Sequence, residues 1–353
     1  MIFIISLLFF IGCNSSSEND VRRNLLLSWG LDVVIDKSNT FEDRSRILSE
    51  SVSNYCQTLS EEDFIVLQTN WWEARTPWKE LEVFRFGPYK EDQRLGPKID
   101  FWPVRVDTIE ELLAGDSELS QEVLYNYGTS SKGFPVLDYL LFNADAKDRI
   151  STNPRYCDYT SAVAGELMVR AGEFHDAWHP DEGNYVAQLT EAGYPSSSYP
   201  SLQHSVAEVV NRMGHTIENI RMDKITTPLG LDIGTTQPDK LESPYSQRSF
   251  QDIKDNLYGI RTLYYGAETP NALGLQDLLE SRSLNYDAEF ESLYQTPIDM
   301  IDAFDKPMIE VLEEDPEALI LLSEELQKMQ SLIQTDIVGG LSLWVSFNDA
   351  DGD

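Results

Sequence analysis

The sequence predicts an all-α protein built as two helical bundles. Three observations carry that reading. Apolar residues recur at steps of three and four in six separate segments, the spacing of an amphipathic helix. No segment shows a convincing series of alternating strands with hairpin turns. Two stretches rich in Pro, Gly and Ser punctuate the pattern. With 353 residues, the chain is long enough for two cores at about 100–200 residues each. Its 41% hydrophobic content, with 7 Trp, 15 Phe and 16 Tyr, excludes a disordered chain.

Charge narrows the function classes. There are 27 Lys and Arg against 60 Asp and Glu, a formal net charge of −33. A generic nucleic-acid binder is excluded, because phosphate neutralisation needs a basic surface. Attraction to anionic lipid headgroups is disfavoured for the same reason. What remains is a very soluble body, an affinity for cations, a basic partner, or adaptation to a salty environment.

Taken in order, residues 1–12 read as a signal peptide. The run 2–12 (IFIISLLFFIG) is almost wholly apolar, too short for the roughly 20 residues of a membrane span but suited to a secretion signal. Gly12-Cys13 followed by Asn14-Ser15-Ser16-Ser17 looks like a bacterial lipoprotein processing site. Cys13 would then be the lipidated first residue of an exported protein, anchored in the cell envelope at the periplasm or outer membrane. Residues 13–30 would be its tether. Two departures are visible: no Lys or Arg precedes the apolar run, and Phe10 stands where Leu is usual.

The first bundle is expected over 31–195. Phe64, Leu67, Trp71, Ala74, Trp78 and Leu81 form one stripe, with Pro77 expected to kink it or start a new turn. Val163, Leu167, Ala171, Phe174 and Trp178 form the next, stopped by Pro180. Residues 193–200 (GYPSSSYP) mark the boundary. The second bundle, 200–353, holds four stripes. These are Leu202, Val206, Val209, Met213, Ile217 and Ile220; then Phe250, Ile253, Leu257, Ile260 and Tyr264. A less regular one has Phe290, Leu293, Ile298 and Ile301, and the last has Leu319, Leu322, Leu326, Met329, Ile333 and Ile337. Between them, 226–249 is long enough for a functional or packed loop. A faint repeat crosses the boundary: Tyr127-Gly128 and Tyr265-Gly266 precede Leu137 and Leu275, then Leu140-Leu141 and Leu278-Leu279. Duplication of one bundle leaves such a trace, and so does coincidence in a Leu-rich chain.

Apart from Cys13, the cysteines are Cys56 and Cys157. They form either one disulfide, closing a loop of about a hundred residues, or two buried thiols. Neither belongs to a C-x-x-C pair, so a thiolate zinc site is not indicated. His175-Asp176-Ala177-Trp178-His179 has the two-imidazole spacing of H-E-x-x-H zinc peptidases. Asp176 is shorter than the Glu base, Pro180 ends the helix, and no third ligand is marked, so a wet helix end is the plainer reading. His215 with Glu218 and His204 with Glu208 share helical faces, as chance allows in so acidic a chain. The tail 348–353 (NDADGD) is acidic enough to hold a cation but is not an EF-hand loop. Phosphate-binding, dinucleotide and nucleophile-elbow motifs are absent from the sequence.

Several phrases, read together, resemble the imelysin family of exported bacterial proteins. They are Ala74-Arg75-Thr76-Pro77-Trp78, Phe84-Arg85-Phe86-Gly87-Pro88, Ile99-Asp100-Phe101-Trp102-Pro103, and the run 133–142 (GFPVLDYLLF). Pro228-Leu229-Gly230-Leu231, Glu242-Ser243-Pro244-Tyr245-Ser246, Asp252, Asn256-Leu257, Gly259-Ile260 and Tyr265-Gly266 continue the match, which closes on Phe347 and the acidic tail. The resemblance implies two helical bundles, with duplication as one origin open to them, a site in the crevice between them and a link to iron uptake. It also carries a metallopeptidase label and a hallmark G-x-H-x-x-E, whose His and Glu would ligate a metal.

Here that hallmark reads Gly133-Phe134-Pro135-Val136-Leu137-Asp138. Pro135 replaces the imidazole and offers neither a side-chain ligand nor an N–H. Asp138 keeps a carboxylate on a shorter arm. A lone carboxylate is a poor transition-metal site, and an acid at a helix N-terminus is an equal reading of it. The ligand-binding candidates are therefore Gly133, Pro135 and Asp138, with Arg75, Trp78 and Trp102 from the other phrases; for these last three, core packing and an ion pair are the plainer roles. Asp138 is the metal candidate, with iron or another divalent metal as the cofactor class that the resemblance brings.

The expected function is a ligand- or metal-binding component of iron uptake, without catalysis, in contact with iron or haem uptake components. The alternatives are a metallopeptidase with a degenerate or relocated metal site, and an acidic adaptor docking another envelope protein.

Overall fold

The computed structural model describes residues 15–91 and 93–346, which are all-α, with no strand among them. Cys13 and the acidic tail lie outside the described residues. Helix α1 (Ser15–Ser28) runs through a π-helical segment, Trp29–Ile35, into α2 (Asp36–Thr58). The stretch 13–30 is thus not free chain over its second part: Leu25, Leu26 and Trp29 are fully buried. The other long helices are α3 (Glu61–Leu81), α4 (Phe134–Phe142), α5 (Pro154–Trp178), α6 (Leu202–Asn219), α7 (Ser249–Tyr265), α8 (Asp287–Asp302) and α9 (Pro316–Ser331). Two further π-helical segments, Ile220–Thr226 and Leu332–Ile337, prolong α6 and α9.

Local chemistry starts and stops these helices. Ser60 caps α3, its hydroxyl accepting the Asp63 N–H at 3.1 Å. Asn153 caps α5, with Pro154 in its first turn. The stripes on α3, α5, α6, α7 and α9 are all buried. On α8 the buried set is Phe290, Tyr294, Pro297 and Ile301, while Leu293 and Ile298 are only half-buried.

Helix α3 runs on through Pro77, so no new helix starts there. Its ring removes one helical hydrogen bond, and Arg248, the residue before α7, reaches the preceding turn. Arg248 Nη2 donates to Thr76 Oγ1 at 2.6 Å and to the Trp72 carbonyl at 3.4 Å.

Helix α2 packs on α3 and α5, α3 on α7, α6 on α9, and α8 on α9. The buried apolar side chains form one continuous cluster from Leu25 to Leu343. Cys56 at the end of α2 and Cys157 at the start of α5 are joined in a disulfide, with Cα atoms 5.9 Å apart. The two glycines of the faint repeat differ in backbone: Gly128 has φ −62° and Gly266 has φ +89°.

Candidate functional site: a buried charge network beside a cavity

Close backbone approach assembles the site. A Cβ on Gly259 of α7 would lie 2.2 Å from the Glu80 carbonyl oxygen, so only glycine lets α7 come this near α3. Gly133, at φ +80°, does the same for α4: a Cβ there would lie 2.3 Å from the Ile99 carbonyl. Helix α3 then offers Arg75 and Lys79, one turn apart on one face. Helix α7 offers Asp252, Asp255 and Asn256, and the short helix Leu95–Ile99 ends at Asp100.

The side chains interlock. Arg75 Nε donates to both oxygens of Asp252 at 3.1 Å, and Nη1 donates to Asp100 at 3.2 Å. Its Nη2 lies 3.4 Å from Glu242. Lys79 Nζ reaches Asp100 at 2.5 Å, Glu82 at 3.0 Å, and Glu242. Lys224 Nζ lies 2.8 Å from Glu242, 3.2 Å from Glu82, and 2.5 Å from Asn256 Oδ1. Arg248 pairs with Asp252 and, at 2.6 Å, with Asp255. All of these side chains are buried.

Burying charge is costly unless opposite charges and hydrogen bonds compensate, and here they do. Burial alone would weaken protonation of Arg75 and Lys79, but the surrounding carboxylates outweigh it and both bind their protons more tightly than usual. Burial likewise opposes ionisation of Glu82 and Asp252. Lys224 and Lys79 nevertheless hold Glu82 well below its ordinary range, and Arg75 and Arg248 bring Asp252 to about 2.

The residues singled out in the sequence fall around this network. Arg75 lies within it, and Trp78 donates its indole N–H to Asp100 at 3.0 Å. Gly133 precedes α4, and Pro135 is buried in the first turn of α4. Asp138 is buried, and its carboxylate accepts the backbone N–H groups of Tyr245 (3.2 Å) and Ser246 (2.9 Å). Burial pushes its pKa up to about 6 against the pull of those bonds and of Arg75. Trp102 stands apart from Asp138, in the wall of a neighbouring cavity.

The histidines stay outside. His175 and His179 lie at the end of α5 with ring centroids 5.2 Å apart. The His204 ring bonds Ser201 Oγ at 2.8 Å, and His215 Nε2 bonds the Ser346 carbonyl at 3.1 Å.

The hallmark turn does not fit a metal. Pro135 has no ligand atom, and Asp138 is occupied by two N–H donors. Among the described residues, the group with metal-like spacing is Glu82, Asp100 and Glu242, with ligand oxygens within 4.8 Å of one another. The Lys79 ammonium already touches all three.

Sequence reasoning missed Lys79, Glu82, Lys224, Glu242, Arg248 and Asp252 as site residues. The available signal was weak: Arg75 and Lys79 flank the stripe residue Trp78, and Asp100, Glu242 and Asp252 sit inside family-like phrases.

A cavity of about 330 Å³ opens beside Glu82, Asp100 and Lys224. Its wall also holds Arg85, Tyr89, Phe101, Trp102 and Asp223.

Comparison with known proteins places this architecture. The imelysin family model matches residues 39–335. The chain belongs to the imelysin family. Iron-regulated protein A of Synechococcus elongatus is 26% identical over 223 residues, covering 62% of this chain and 57% of that protein. The imelysin chain thus spans a little over half the length of that curated relative. A candidate iron-regulated protein A precursor from Parabacteroides distasonis superposes with a TM-score of 0.79 at 18% identity, over 92% of this chain and 94% of that one. An imelysin-like protein from Psychrobacter arcticum gives 0.75 at 16% identity, over 93% and 98%. At such identities, these two structures establish the fold.

Proposed function

We propose that this imelysin-family chain is an envelope protein that binds a ligand in iron acquisition and carries out no catalysis. The iron link is supported by the relative named iron-regulated protein A. The observation that carries the non-catalytic reading is Lys79. Its ammonium fills the Glu82–Asp100–Glu242 cage, while the hallmark turn has lost its imidazole to Pro135. A water-activating metal needs an open coordination position, and neither place offers one. The cavity beside the network is the binding site in this reading.

Lipid anchoring through Cys13 belongs to the same proposal. No described helix is long and apolar enough to cross a membrane.

Deleting the gene is expected to slow growth in iron-limited medium, with recovery on iron addition. Purified protein is expected to hold well under one metal per chain and to leave a protein substrate uncut. Unchanged growth removes the iron role. Stoichiometric metal with chelator-sensitive cleavage supports the metallopeptidase instead. Salt-sensitive capture of a basic envelope protein, with no small ligand, supports the adaptor.

A further inference from the structure

Three charged side chains in the cavity wall make no hydrogen bond or ion pair to the network; Lys240 is paired with Asp239 at 3.3 Å, which leaves Arg85 and Asp223. Arg85 follows the short turn Glu82–Phe84, and its guanidinium lies over the Tyr89 ring at 5.6 Å. Among the described residues, nothing accepts a hydrogen bond from it. Asp223, in the π-helical segment after α6, likewise has no hydrogen bond or ion pair among the described residues. It feels Arg85 electrostatically, yet the two are too far apart to form a salt bridge. Both are only half-buried. Their neighbours Glu82, Asp100 and Lys224 have spent their polar atoms on one another and on Lys79, Arg75 and Asn256.

A cavity holding one unspent cation and one unspent anion, kept apart, is complementary to a molecule with the opposite pair. Arg85 presents a planar fork of N–H donors suited to a carboxylate. Asp223 presents acceptor oxygens suited to an ammonium. Phe101 and Trp102 with the prolines Pro97 and Pro103 give the wall its apolar part, and Thr227 and the Asp239-paired Lys240 complete it. The volume, about 330 Å³, lies at the small end of small-molecule sites.

We infer that this cavity binds a free α-amino acid with an apolar or aromatic side chain, its carboxylate on Arg85, its ammonium on Asp223 and its side chain against Phe101 and Trp102. The inference rests on reading the cavity as the binding site and adds the ligand class. It is independent of the iron link.

The test titrates the full mature chain with L-phenylalanine, following tryptophan fluorescence and heat. N-acetyl-L-phenylalanine, which lacks the ammonium, and phenethylamine, which lacks the carboxylate, are the controls. Saturable binding of phenylalanine is expected, with each analogue weaker by at least about tenfold, the loss for one charged hydrogen-bonded contact. R85Q should remove the preference over phenethylamine, and D223N the preference over the acetylated analogue. W102L should weaken all three ligands. Thermal melts and the conservative variant R85K, which keeps the charge, show whether a loss of binding is a loss of fold.

Equal affinity for phenylalanine and both analogues overturns the inference. So does a folded R85Q that binds as the parent does, or the absence of saturation by any apolar amino acid. In that last case a retained iron-limitation phenotype leaves the functional reading standing. Amino-acid binding without that phenotype does the reverse.

Discussion

Replacing Lys79 by methionine keeps most of the side-chain volume but strips the Glu82–Asp100–Glu242 cage of its central charge. Removing one member of a buried ion-pair network leaves uncompensated charge, a loss of about 3–5 kcal/mol. Denaturant titration of K79M should show that loss as a lowered midpoint. Arg46, paired with Asp43 and Glu50 on the surface, is the contrast: R46A should leave the midpoint unmoved. Asp138 gives a second test at this scale. Its folded pKa, about 6, lies above the ordinary 3.8. Between those values the folded state holds the extra proton, so this group's contribution to stability is complete below about pH 4 and is lost as pH rises through 6. D138N cannot titrate. From pH 7 down to pH 4 the parent should therefore gain about 1–3 kcal/mol relative to the variant. A constant difference across that range would remove the assignment.

Among the elements, the close pairing of α3 with α7 depends on Gly259. G259A places a methyl against the Glu80 carbonyl and must force the helices apart, a strain of about 1–3 kcal/mol. The same displacement would loosen Arg75 from Asp252, so the loss should fall in part with R75M already present. A double-mutant cycle measures that coupling. Reducing the Cys56–Cys157 disulfide, which closes a loop across α2 to α5, should lower stability by about 5 kcal/mol in the chain-entropy account. The helices themselves were largely legible in the sequence, because burial writes a period of three and four into each stripe. The stripe of α8 was misread by a residue or two, since Tyr294 and Pro297 bury where Leu293 and Ile298 were expected. Which of the two readings at Pro77 holds, a continuous helix or a new turn, was not legible. Nor was the ordered helix of 15–28, whose Ser-rich start reads as a spacer.

For the whole molecule, the site was less legible than the fold, for a physical reason. Arg75 and Asp252 are 177 residues apart and Lys79 and Glu242 are 163 apart. Helical periodicity reports which face is buried but not which distant charge meets it. The family-like phrases held Asp100, Glu242 and Asp252 without showing that they converge. At low pH the network governs the response of the chain. Asp252, held near 2 by Arg75 and Arg248, contributes stability that is present above pH 3.8 and lost as pH falls through 2, the opposite sense to Asp138. Acid unfolding should therefore steepen below pH 4, and D252N should blunt that limb. Lys79 has a consequence that bears on the proposed iron role. Its ammonium is a counter-ion tethered to the backbone, so no chelator can withdraw it and no scarcity can leave its place empty. The melting temperature should be the same with and without a strong chelator. The fold is therefore expected to be indifferent to iron supply.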